Sequence, residues 1–262
     1  MPEYDSQKAA KAIEGAIDFA SVGLKLFVPF QKKQQLLEQS ADCIAVQTLL
    51  KTLGIEFQIV EAANTEWRSR NGNVPVLSDK SKIYSGVKEI QEVLKKKEIV
   101  HTPSPEDSDL EKRLFSLIDV LKRVELYHSW LDQTTVLNVT KKRYTEPLDV
   151  YWFFRGFVFK NRRDNVLKHL ALHNWDVMTR KDVLREFANV LAVFSGVLGE
   201  KTYLFGERIS ELDCLLFGHL YAILTTKYVG TFGGDLQQTI ARFNNLINHT
   251  KELDRLSCWG RF

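Results

Sequence analysis

The sequence is poor in cysteine, proline and methionine and has little net charge of either sign. Its three cysteines, Cys43, Cys214 and Cys258, are an odd number at wide spacing. That pattern excludes a disulfide framework and a zinc-finger ligand set, and it points to a reducing compartment. Lys and Arg number 36 against 33 Asp and Glu, a formal net charge of +3. So mild an excess builds no strong field, and nucleic acid is not expected as a partner. Long apolar runs are missing too. Stretches such as Cys214 to Leu224 fall short of the ~20 residues that span a bilayer, so any membrane attachment is expected to be peripheral. Met1 to Lys8 has no basic lead, and Glu14 and Asp18 interrupt the apolar positions that follow. A secretory signal and a cleaved presequence are therefore not expected.

What is present is a chain of 262 residues that is 44% hydrophobic, enough for one large core or two modest ones sharing an interface. Residues 34–97 read as alternating elements. An apolar pair Leu36-Leu37 stands where a first strand is expected, and a helix follows with Val46, Leu49, Leu50 and Leu53 on one face. Gly54 ends that helix, because the position after a C-cap favours the left-handed backbone that glycine adopts without steric cost. The strand Glu56 to Val60 completes a βαβ unit. Gly72 to Leu77 then enters a short strand through a Val-Pro bond. A polar turn Ser78 to Ser81 and the pair Ile83-Tyr84 imply a hairpin. A final helix carries Val87, Ile90 and Leu94 on one stripe and ends in three lysines from Lys95, where cations suit the negative end of the helix dipole.

Pro103 and Pro105, among acidic and polar residues, mark a linker. Beyond it Ser108 and Glu111 have the spacing of a capping box, in which the two side chains satisfy backbone N–H groups at a helix start. From there the pattern is helical to the end. Asp182 to Leu198 and Glu211 to Thr226 are the clearest helices, and the latter is apolar almost all round, as a helix buried inside its domain must be. Ser210 is expected to cap it with Asp213. The organisation expected is an N-terminal extension over 1–32, an α/β domain over 33–98, a linker over 99–108 and an all-α domain over 109–262.

This order of elements, with the segment Tyr203-Leu204-Phe205-Gly206-Glu207-Arg208-Ile209-Ser210-Glu211-Leu212-Asp213, resembles the glutathione-transferase architecture: a thioredoxin-like domain followed by a helical C-terminal-like domain. Two further stretches, Leu212 to Thr226 and Trp130 to Val136 with Thr140-Lys141-Lys142-Arg143-Tyr144, resemble the metaxin family. The similarity runs from about Gln34 to the C-terminus and is greatest to the metaxin type that lacks a C-terminal membrane anchor. The resemblance implies a non-enzymatic, peripheral subunit on the cytosolic face of the mitochondrial outer membrane. Its expected partners are a membrane-anchored metaxin, the machinery that sorts and assembles outer-membrane β-barrel proteins, and motor-protein adaptors for mitochondrial transport.

A transferase of this fold places a hydroxyl or thiol just after the first strand. Counted back from Gly54, the tyrosine position falls at Leu36 or Leu37, which offer no hydrogen bond, while Ser40 stands near the serine or cysteine position. A glutathione-dependent transferase or reductase using Ser40 or Cys43 is the alternative function. Ser40 is otherwise an N-cap, and Cys43 a small buried hydrophobe. Val74 and Pro75 match the family's cis-proline, which pairs with the peptide-like part of glutathione. Ser85 matches the serine that binds its glutamyl carboxylate, but Tyr84 stands where the family has an acidic or amide residue. The site is half complete, and no cofactor is expected.

His169 and His173 have a metal-ligand spacing with no third ligand, so they read as solvated and no metal is expected. His219 inside the most apolar helix reads as a neutral histidine bonded to a neighbour. Tyr151, Trp152, Phe153, Phe154, Phe157 and Phe159 crowd into nine residues ahead of Lys160, Arg162 and Arg163. Rings beside cations suit a partner or membrane docking surface, and a helical domain also needs core aromatics. Both possibilities stay open from sequence.

Overall fold

The computed structural model describes residues 23–30, 35–79, 82–96, 108–147 and 151–260. The expected linker, with Pro103 and Pro105, and most of the expected N-terminal extension lie outside these residues. The first half is a four-stranded sheet in the order β2-β1-β3-β4. Its strands are β1 (Lys25–Pro29), β2 (Gln58–Ala62), β3 (Val76–Asp79) and β4 (Lys82–Ser85), with helices α1 (Leu37–Thr52), α2 (Thr65–Arg68) and α3 (Gly86–Lys96). β1 pairs parallel with β2 and antiparallel with β3, and β3 pairs antiparallel with β4. This is the thioredoxin-like βαβ unit followed by a hairpin.

The first strand corrects the expectation in two ways. It is Lys25–Pro29, with Leu26 and Val28 fully buried, so the sheet begins ahead of residue 33, inside the expected extension. Leu36 and Leu37 are not a strand but the start of α1. Leu36 is the N-cap, and its backbone N–H donates to Gln39 Oε1 at 3.3 Å. The apolar pair is needed because this helix end enters the core of the helical half. Ser40 is consequently not an N-cap. It lies in the second turn of α1, with its N–H bonded to Leu36 O at 2.8 Å. At the other end Gly54 takes φ +66°, the left-handed conformation expected after the C-cap.

The second half is helical. Its helices are α4 (Ser108–Trp130), a short α5 (Gln133–Thr135) continuing through a π-helical turn (Val136–Thr140) into α6 (Lys141–Thr145), α7 (Trp152–Ala171), α8 (Arg180–Leu198), α9 (Glu211–Thr225), α10 (Phe232–Ile240) and α11 (Asn244–Ser257). Ser108 is the first helical residue of α4, so the cap position falls just outside the described residues. At α9 both halves of the capping box are present: Ser210 Oγ accepts from Asp213 N, and Ser210 N donates to Asp213 Oδ2 at 2.8 Å. Asp213 does more than cap. Its Oδ1 accepts from Leu204 N at 2.8 Å and lies 2.9 Å from His249 Nε2, which ties α9 to the preceding loop and to α11.

The two halves meet at α1 and α9. One side of α1 (Leu37, Ala41, Ile44, Ala45) belongs to the large core of the helical half. The other (Cys43, Val46, Leu49, Leu50) packs with Leu26, Val28, Leu77 and Ile90 of the sheet half. Close approach is allowed by Gly218 of α9, where an added Cβ would lie 2.5 Å from Ala41 O and 2.8 Å from Ala45 N.

Candidate functional site

A cleft of about 680 Å³ lies between the first turn of α3 and helices α4 and α7. Asn71, Asn73, Val74, Ser85, Lys88 and Gln91 line one wall, and Asp119, Lys122, Arg162 and His169 the other. Val74 and Ser85, two of the positions that the resemblance matches to a glutathione site, line the cleft. The Val74–Pro75 bond is cis, and Pro75 O accepts from Gly86 N at 2.8 Å. Ser85 is buried, and its Oγ, its backbone O and its N–H each have a protein partner. Its Oγ accepts from Arg70 N at 3.0 Å, its backbone O from Asn71 Nδ2 at 3.3 Å, and its N–H donates to Glu89 Oε2 at 2.7 Å. An internal carboxylate thus holds the N–H at this helix start, where an anion is favoured. Tyr84 is half-buried against the core of the sheet half.

The residues of the alternative enzyme function are not assembled here. Ser40 and Cys43 are both absent from the cleft lining. Cys43 is fully buried in the sheet-side core. Burial, with a smaller contribution from the Asp42 charge, pushes its thiol well above the ordinary range, the opposite of what a nucleophile needs.

The cleft floor holds a polar group that the sequence pattern did not single out. Glu38 of α1 accepts from Ser129 Oγ at 2.8 Å and Trp130 Nε1 at 2.9 Å, both at the end of α4. Burial raises its pKa even so. Lys122 pairs with Asp42 at 2.5 Å. Burial works most strongly against the Lys122 charge, but the Asp42 carboxylate together with Glu125 and Glu38 outweighs it, leaving the amine above its ordinary value. His219 Nδ1 lies 2.8 Å from Glu125 Oε1. Burial moves both toward the uncharged form, raising Glu125 and lowering His219 to about 4. Lys122, Glu125 and Ser129 share one face of α4 with the apolar Leu121 and Leu126, and polar residues on such a stripe were the available signal. Their bonds fasten α4 to α1 and α9. His169 and His173 stand with rings 5.9 Å apart, and among the described residues no group of three His, Cys, Asp or Glu could hold a metal ion.

The aromatic stretch divides. Phe159 is a core residue, stacked on Trp130 at 5.7 Å and set edge-on to Tyr144, so it is removed from the docking candidates. Tyr151, Trp152, Phe153, Phe154 and Phe157 are all exposed.

The fold and cleft define the class: this is a glutathione-transferase-like architecture. A glutathione S-transferase from the hookworm Necator americanus superposes with a TM-score of 0.53, covering 91% of this chain and 96% of the other at 13% identity. Glutathione S-transferase III gives 0.52, covering 92% and 98% at 14% identity. A model of the glutathione S-transferase C-terminal domain matches residues 187–253. A model described as an outer mitochondrial membrane transport complex protein matches residues 43–163. The metaxin-2 homolog of Caenorhabditis elegans is 29% identical over 221 residues, 83% of this chain and 94% of that protein. Metaxin-2 of Homo sapiens is 26% identical over 233 residues, 88% and 87% of the two chains. Over most of its length the chain is similar to the metaxins.

Proposed function

We propose that this protein is a non-enzymatic subunit of a transport complex at the mitochondrial outer membrane. It is held peripherally on the cytosolic face by a membrane-anchored metaxin partner and serves the assembly of outer-membrane β-barrel proteins. Adaptor contacts to motor proteins belong to the same proposal. Similarity to the metaxins and to an outer mitochondrial membrane transport complex protein supports the location, and no helix among the described residues is long and apolar enough to cross a membrane. The observation that carries the non-enzymatic part is Glu89. Its carboxylate occupies the Ser85 N–H, the position at which the transferase fold would receive the ligand's own carboxylate. With Cys43 buried and Ser40 away from the cleft, neither candidate nucleophile faces a substrate.

Calorimetry with glutathione, a turnover assay, and affinity capture from solubilised mitochondria test this together. No glutathione heat, no turnover and co-purification of outer-membrane transport subunits are expected. Micromolar glutathione binding with turnover abolished by Ser40→Ala would overturn the proposal in favour of an enzyme.

A further inference from the structure

Five aromatic side chains stand in water at the start of α7. Tyr151, Trp152 and Phe157 are 74%, 79% and 70% exposed, and Phe153 and Phe154 are 57% and 51% exposed. Exposed rings scattered singly are ordinary on a protein surface, but a contiguous group marks an interaction site. Four of the five rings form a connected group. Tyr151 stacks on Phe153 at 5.6 Å, Trp152 meets Phe153 edge-on at 5.8 Å, and Phe153 lies 4.6 Å from Phe154.

The arrangement favours one kind of occupant. Successive helical residues are ~100° apart around the axis, so Trp152, Phe153 and Phe154 radiate around most of the helix perimeter. A protein groove takes a stripe of residues spaced three and four apart. Rings spread over about 200° of a helix tip, wider than a groove-binding stripe, suit a medium that surrounds the tip, and Trp and Tyr are favoured at the lipid–water interface. The charge fits as well. Residues 151–163 contain Arg155, Lys160, Arg162 and Arg163 and no Asp or Glu; of these, Arg162, a cleft residue, faces Glu66 and Arg163 donates to Trp130 O. Lys160 is exposed, as are Lys141 and Lys142 of α6. Cations just behind an aromatic tip complement anionic headgroups. Trp152 to Phe157 rises ~8 Å along the axis, comparable to the ~5–10 Å depth of an interfacial helix. Phe159, which already faces the core, lies beyond that depth.

We propose that the aromatic start of α7 inserts into the interface of an anionic phospholipid bilayer. The protein thereby contacts the membrane directly, in addition to any hold from a partner subunit. This rests on the outer-membrane location proposed above and names what the surface meets there.

The test uses the full chain with vesicles of phosphatidylcholine alone, or of phosphatidylcholine containing an anionic phospholipid. The chain should float with the anionic vesicles, and lipids brominated on their acyl chains should quench its tryptophan emission. Trp152→Phe should abolish most of that quenching while leaving flotation intact, which assigns the contact to the tip. The triple change Trp152→Ser, Phe153→Ser and Phe157→Ser should weaken vesicle binding by about tenfold or more, with circular dichroism unchanged. Absence of flotation on either vesicle, or quenching that persists in Trp152→Phe, overturns the proposal. If the chain ignores vesicles yet co-fractionates with mitochondria through this surface, the occupant is a protein. The lipid proposal then fails while the location stands.

Discussion

Gly218 is where one added carbon should have the largest effect on how the two halves fit. An alanine there puts its Cβ 2.5 Å from Ala41 O, 2.7 Å from Ala45 Cβ and 2.8 Å from Ala45 N. Two of these three atoms are backbone, so no rotamer change relieves the contact and α1 must move away from α9. Overpacking of this kind costs about 1–3 kcal/mol, and rigid backbone partners put this site at the upper end. Alanine returns about 1 kcal/mol through its better helix propensity. The net expectation is a loss of roughly 2 kcal/mol, or about 4–8 °C in Tm for a chain of this size. Gly196 in α8 supplies the control, because a Cβ there meets nothing within 4 Å. Gly196→Ala should gain up to about 1 kcal/mol from propensity alone. Thermal and urea unfolding of the two variants should move in opposite directions. Stabilisation by both substitutions would refute the close α1–α9 approach.

Asp213→Ala removes the α9 cap and also strips Leu204 N and His249 of their buried partner. The cap alone is worth ~1 kcal/mol and each orphaned donor ~1–3 kcal/mol, so urea unfolding should show a loss of at least ~3 kcal/mol with bound partners unchanged. An unaltered midpoint would contradict the assigned network. His128 is buried and its pKa is lowered to about 4, so the folded state disfavours its proton. Its contribution is present above about pH 6.5 and is lost as pH falls toward 4. Between pH 7.5 and 5 the wild type should therefore lose about 2 kcal/mol more stability than His128→Gln; parallel pH profiles would refute this. Cys258 is exposed, whereas Cys43 and Cys214 are buried. Burial raises the Cys214 thiol to about 12. An aromatic disulfide reagent should titrate one thiol in the native protein and two more only after unfolding. Rapid native labelling of Cys43 would restore the thiol-enzyme alternative.

The elements legible in the sequence were those whose local signals agreed with their tertiary setting. α9 announces itself by Ser210, Asp213 and an apolar surface on every side, and Gly54 by the left-handed turn it makes. Leu36-Leu37 reads as a first strand because it is a strand-like apolar pair, whereas the strand is Lys25–Pro29. Those leucines in fact serve the helical half, a long-range contact that local periodicity does not encode. Counting back from Gly54 puts Ser40 near a helix start, although it lies one turn inside α1. The aromatic stretch was ambiguous because Phe157 and Phe159 differ only in the direction they face on α7. Glu89, which fills the Ser85 N–H, sits four residues on from Ser85, one beyond the three-residue spacing of a capping box. The Glu38, Asp42, Lys122, Glu125 and His219 group joins three helices far apart in the chain, so only the fold brings it together.

Location is the most exposed part of the proposed function, and protease accessibility with alkaline extraction of intact mitochondria reads it in one preparation. The chain should co-sediment with mitochondria, be digested by protease added outside while the outer membrane is sealed, and be released by alkaline carbonate. A chain found wholly in the cytosol, or one protected until the outer membrane is opened, would contradict a peripheral subunit on the cytosolic face.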